Sequence, residues 1–164
     1  MGTTHMNTTH MNTTWLSDRE QLAWRNFVTT IPQLTAAFEA DLAPHGLTMG
    51  DYEVLVFLSE ADDNRMRMCD LASALKLSPS GLTRRLDGMV RSGWVTRAAC
   101  PGDRRVMYAS LTAAGRKKME AAAPDHVASV RRHFIEPLGA DGVRRVSELF
   151  GPVRSHLEQL GHDA

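Results

Sequence analysis

Residues 68 to 93, MCDLASALKLSPSGLTRRLDGMVRSG, constrain the fold of this chain more than any other stretch. Two short apolar patterns with helical spacing meet at Leu77-Ser78-Pro79. A serine at a helix N-cap accepts from first-turn amides. A proline suits the next position, where its missing N–H has no intrahelical partner to lose. The spacing predicts a helix over about 69–75, a turn of about three residues, and a second helix from Pro79 to about Ser92. Gly93 is the natural stop. Two short helices joined by so tight a turn make a helix-turn-helix.

The segment after the pair narrows the fold further. Trp94 to Ala99 reads as a strand, CPGDRR (100–105) as a loop turning on Pro-Gly, and VMYASL (106–111) as a returning strand. An extended piece at Met66 to Met68 precedes the helix pair. Thr112 caps a helix through Met119. Helix, turn, helix, hairpin is the order of a winged helix-turn-helix, so the expected class is mainly α with a small β-hairpin.

Helical stripes flank this unit. SDRE, Ser17 to Glu20, is a capping box. Behind it Trp24, Phe27, Ile31, Leu34, Phe38 and Leu42 step by three and four along one long helix ending near Pro44, with Pro32 expected to kink or divide it. Thr48 and Asp51 form a second capping box, with Val54, Leu55 and Leu58 facing inward behind it. EADDNR reads as a loop. Beyond Pro124, expected to break or kink its helix, Val127, Val130, Phe134 and Leu138 form one stripe. Val146, Leu149, Phe150, Val153, Leu157 and Leu160 form another. Pro137, Gly139 and Gly142 mark the corner between them. These stripes exceed what a compact winged unit can cover, and a second copy of the chain is the economical partner. The expected organisation is a disordered segment 1–16, helical dimerisation regions 17–46 and 113–164, and a winged unit 47–112.

Composition excludes more than it selects. The 164 residues, 43% hydrophobic and 23% charged, suit one ordinary globular domain. No run of about 18 apolar residues would cross a membrane. Absence of an apolar leader and the use of only two cysteines, Cys69 and Cys100, point to the reducing cytoplasm. No phosphate loop, His-x-x-x-His or nucleophile elbow is present, so neither an enzyme nor a cofactor or metal is expected. The repeat TTHMN near the N-terminus offers His5, Met6, His10 and Met11 as a weak metal set, but a disordered duplication fits better. Equal numbers of acidic and basic residues hide an asymmetry. Residues 17 to 63 carry nine acidic and two basic residues; residues 76 to 105 carry seven basic and two acidic.

That basic stretch has a geometry. At about 100° per residue, Leu82, Leu86, Met89 and Val90 gather on one side of the second helix. Ser80, Arg84, Asp87, Gly88 and Arg91 fall opposite, with Thr83 and Arg85 on the flanks. A helix whose outward N-terminal end is small, hydroxylated and cationic suits the DNA major groove. Ser78, Ser80, Gly81 and Thr83 permit close approach, Arg84 can reach a guanine edge, and Arg85 a phosphate. Asp87 would repel phosphates unless it pairs with Arg91 or holds Arg84. On the wing, Arg104 or Arg105 can enter a minor groove, with Asp103 orienting a neighbouring guanidinium through a bidentate pair. A winged module that binds proteins instead of DNA is the competing reading; it makes Arg84 and Arg105 dispensable. Cys69 sits at a helix start where burial is expected. Cys100, between Arg97 and Arg104, is a candidate redox switch.

Residues 70–115 resemble the MarR family of bacterial transcriptional regulators. The resemblance rests on the helix pair, the run from Met89 to Val95 into the first wing strand, Asp103-x-Arg105, and Leu111-Thr112-x-x-Gly115. With GLTMGDYEVLVFL it extends over about residues 17–160. It implies a homodimer on a palindromic double-stranded DNA site, with Arg105 in the minor groove held by Asp103. It also implies release by a small aromatic or phenolic effector. By position, that effector's crevice would be lined by Trp24, Phe27, His45, Met49 and Tyr52. The peroxide-sensing members carry a cysteine in the first helix; this chain has none there.

Overall fold

The structure is a computed structural model and describes residues 14–100 and 102–160. The repeat with its candidate metal set, and most of the segment 1–16, lies outside the described residues. The chain divides into two compact units, 1–33 and 34–164.

The first unit carries most of helix α1 (Asp18–Leu42). Its start is the expected capping box: the Ser17 amide donates to Glu20 Oε2 at 2.8 Å, and the Glu20 amide donates to Ser17 Oγ at 3.4 Å. The Ser17 contacts hold the Glu20 carboxyl below its ordinary range. Pro32 lies inside α1 and does not divide it into separate elements. The apolar stripe of this unit is exposed, with Trp24, Phe27 and Ile31 all presenting surface.

The second unit holds the core. A single 3₁₀ turn (Ala43–His45) leads to α2 (Met49–Glu60), whose Thr48–Asp51 capping box forms as read. Strand β1 (Arg65–Arg67) precedes α3 (Met68–Ala74), α4 (Pro79–Arg91), β2 (Val95–Cys100), β3 (Asp103–Leu111) and α5 (Ala113–Val130). A π-helical turn (Arg131–Ile135) joins α5 to α6 (Glu136–Leu160). Leu82, Leu86 and Met89 of α4 pack with Leu55 and Leu58 of α2, Leu71 of α3, and Val95 and Ala109 of the sheet, each no more than 1% exposed.

The extended piece before α3 pairs with β3, so the sheet has three strands, in the order β1-β3-β2. Two readings need correction. The helix capped by Thr112 runs through Pro124 to Val130, well past Met119. Proline inside a helix removes one hydrogen bond, and packing of α5 on α2 and the 3₁₀ turn compensates. Asp103 to Arg105 belong to β3 and not to a loop, since pairing closes as far as Cys100↔Asp103. The C-terminal corner falls where expected, at Gly139, with φ at +63° inside α6.

One close approach fixes the base of the wing. The Thr112 hydroxyl donates to the Gly93 and Trp94 carbonyls, at 2.7 and 3.0 Å. Gly115 lies in the first turn of α5, and any Cβ there would overlap the Trp94 carbonyl. Gly93 itself has φ +73°, the left-handed conformation glycine adopts without strain.

Candidate nucleic-acid interface

Helix α4 begins as its sequence dictates. Ser78 Oγ accepts from the Gly81 amide at 3.1 Å and lies 3.2 Å from Ser80 Oγ. Thr83 Oγ1 donates back to the Pro79 carbonyl at 2.9 Å. These two hydroxyls are therefore partly committed to the helix, and Thr83 keeps an acceptor for anything outside. Ser80 and Arg84 are exposed, as is the rest of the outer face through Arg91 apart from half-buried Asp87 and Gly88. Half-buried Arg85 departs from the outward flank position read for it. Its guanidinium folds back over Gly50 in the first turn of α2, where any Cβ would overlap it.

Asp87 pairs with neither Arg91 nor Arg84. Its Oδ1 accepts from Nη2 of Arg97 on β2 at 2.7 Å. The sequence reading missed Arg97, although a signal existed. Side chains alternate along a strand, so Arg97 shares the inner face with fully buried Val95, and a charge on that face requires a partner.

The wing tip is irregular. Ala99 pairs with Met107, but the next pair is Cys100↔Asp103, so the register jumps and Arg104 to Val106 fall in the interval. Bulges of this kind re-aim side chains. Asp103 Oδ1 accepts from both the Arg105 amide (3.0 Å) and Arg105 Nε (3.4 Å). One carboxylate oxygen does the holding, where a bidentate pair was expected. The Arg105 side chain is 93% exposed. The Arg104 side chain lies outside the described residues.

The other expected residues scatter. Cys100 is half-buried and sits across the strand pair from Asp103; Cys69 is exposed, not buried, with its thiol 3.4 Å from Asp70 Oδ1. Trp24 and Phe27 stack on each other in the first unit, centroids 6.0 Å apart. In the second unit, His45 Nε2 lies 2.7 Å from Asp125 Oδ2, and Met49 is half-buried against the core. Tyr52 is only 8% exposed and packs on the His126 ring at 4.6 Å. Burial pushes the Tyr52 phenol up and the His126 imidazole down.

A helix-turn-helix with an arginine-bearing outer face, beside a wing ending in a braced and exposed arginine, defines a DNA-binding protein of the winged helix class. Residues 45–106 match the MarR family profile. The chain is 45% identical to AbsC, a MarR family transcriptional regulator from Streptomyces coelicolor, over 90% of this chain and 99% of that one, with a TM-score of 0.85. Sco3205, a MarR family regulator of the same organism solved in complex with DNA, is 31% identical over 87% and 94% of the two chains, with a TM-score of 0.83. The transcriptional repressor YetL of Bacillus subtilis (strain 168) is 29% identical over 121 residues, 72% of each chain. The chain belongs to the MarR family of transcriptional regulators. Among the described residues no helix is long and apolar enough to cross a membrane.

Proposed function

We propose that the chain is a repressor that binds an inverted-repeat operator as a homodimer. One observation carries the DNA-contact reading: Arg105, held by Asp103 yet 93% exposed, stands on the wing beside a recognition helix whose Ser80 and Arg84 are also exposed. An extended guanidinium at a wing tip suits the narrow, negative minor groove. Arg84 serves a guanine edge, Ser80, Thr83 and the Gly81 backbone allow close approach, and Ser78 acts at the flank, while Arg85 would have to leave Gly50 to reach a phosphate.

The homodimer reading rests on exposed apolar surface. Leu149, Val153, Leu157 and Leu160 recur at steps of three and four on α6, and each is more than half exposed. Such a stripe needs a covering partner. A twofold pair presents two wings, which suits half-sites about one helical turn apart. Its cytoplasmic placement goes with this role.

The effector reading keeps His45, Met49 and Tyr52. Phe38, Tyr52 and His126 already form a ring cluster there, with centroid distances of 5.7 and 4.6 Å, and the His126 Nδ1 atom is buried without a protein partner. An aromatic guest with a hydroxyl would extend that cluster and meet the nitrogen.

Selection of bound duplexes from a random pool tests the function. The expected product is an inverted repeat, whose affinity falls with salt at a log–log slope of about −0.9 per phosphate neutralised. Recovery of no preferred sequence, with binding indifferent to salt, would leave the protein-binding module as the better account.

A further inference from the structure

We propose that Asp87 and Arg97 are positioning residues for DNA binding, their ion pair setting the angle of the wing against the recognition helix. The proposal rests on the reading that Arg84 and Arg105 both touch one duplex.

Asp87 is out of place by charge alone. It shares the outer face of α4 with Arg84 and Arg91, where a carboxylate repels phosphates. Its partner explains it. Arg97 rises from the inner face of β2, next along that face from buried Val95 and opposite fully buried Ala109. Its guanidinium meets Asp87 at 2.7 Å, with the two side chains 29% and 44% exposed. The pair therefore bridges the floor of the wing and the middle of the helix.

The fold anchors the wing at its base, where β1 pairs with β3 and Val95 and Ala109 pack in the core against α4. At the base, α4 passes into β2 through Ser92, Gly93 and Trp94, and the Thr112 hydroxyl holds the last two carbonyls. Gly93 adds little stiffness of its own to that junction. The Asp87–Arg97 pair, one turn back along α4 and two residues along β2 from Val95, is a further anchor. The lever is long. Six residues of strand span about 20 Å, so a tilt of about 5° at the base moves the tip by about 2 Å. That displacement is enough to take Arg105 out of register with a groove.

The test uses the sign of the effect. In the full-length protein, Asp87→Asn removes a negative charge from the DNA-facing side. Charge alone predicts tighter binding to a labelled duplex recovered by random-pool selection. The positioning role predicts weaker binding, by roughly tenfold. It also predicts coupling: Arg105→Ala should cost much less in the Asp87→Asn background than in the native one. Thermal unfolding confirms that each variant is folded, and Arg97→Gln, which breaks the same pair from the other side, serves as the second variant. Equal or tighter binding of both variants, or additive costs in the cycle, would overturn the proposal. An Arg105→Ala variant that binds like the native protein would instead remove the wing contact itself, and the positioning role with it.

Discussion

Single residues carry most of the chemistry here, and their legibility differed. At the wing tip the residues by themselves leave Arg104 and Arg105 both open, and the pairing of Arg105 with Asp103 comes with the family resemblance. Arg85 cannot be placed from the chain alone. Its long side chain reaches back to α2 only because position 50 has no Cβ, which is a fact about two distant positions. His126 is a third case, visible as a histidine on a helix but with nothing to signal its burial against Tyr52 and Phe38. Desolvation holds its pKa below the ordinary 6.5, against a smaller upward pull from Glu53. The unfolded chain therefore binds this proton more readily than the folded one. Stability that His126 leaves intact above pH 6.5 is lost as the pH falls below that value. Replacing it by Phe should flatten the stability curve on the acid side, measured by urea unfolding at a series of pH values. An unchanged acid slope would assign the loss to other groups.

Elements were the most legible level. Caps at Ser17, Thr48, Ser78 and Thr112 all form, and the apolar face of α4 is buried where its periodicity placed it. Capping is local chemistry between residues three apart, so it survives whatever the rest of the chain does. Leu86 sits at the centre of that buried face with no exposed surface. Leu86→Ala should lower stability by about 2–5 kcal/mol, seen as an earlier urea midpoint, since the emptied space can collapse only in part. A loss below about 1 kcal/mol would mean the site relaxes fully. The helix ends were less legible. Pro32 and Pro124 read as kinks or breaks, and α1 and α5 continue through them without a break. A proline costs a helix about 3 kcal/mol, a local preference that the packing of α5 on α2 can outweigh. The π-helical turn at Arg131–Ile135 left no recognisable mark in the sequence.

At the scale of the whole molecule, the question is what covers α6. Leu149, Val153, Leu157 and Leu160 are each more than half exposed, and the homodimer proposal rests on that stripe. Under the homodimer proposal, native protein at micromolar concentration should sediment as a dimer. Val153→Glu with Leu157→Glu should sediment as a monomer and lose affinity for a two-half-site duplex more than for a single half-site. A double variant that remains dimeric would move the seam away from this stripe.

The amino-acid sequence determined which segments become helices and strands, where the recognition helix starts and stops, and which arginines lie on its outer face. Those outcomes depend on spacing, caps and turn residues within a few positions of one another, so their energetics can be read along the chain. Tertiary structure decided that β1 joins the sheet, that the register jumps at the wing tip, that Arg85 folds back over Gly50, and that Asp87 answers to Arg97. Each of these joins segments brought together only by burial of the shared core, and a contact between segments has no energy to read until the chain has closed around it.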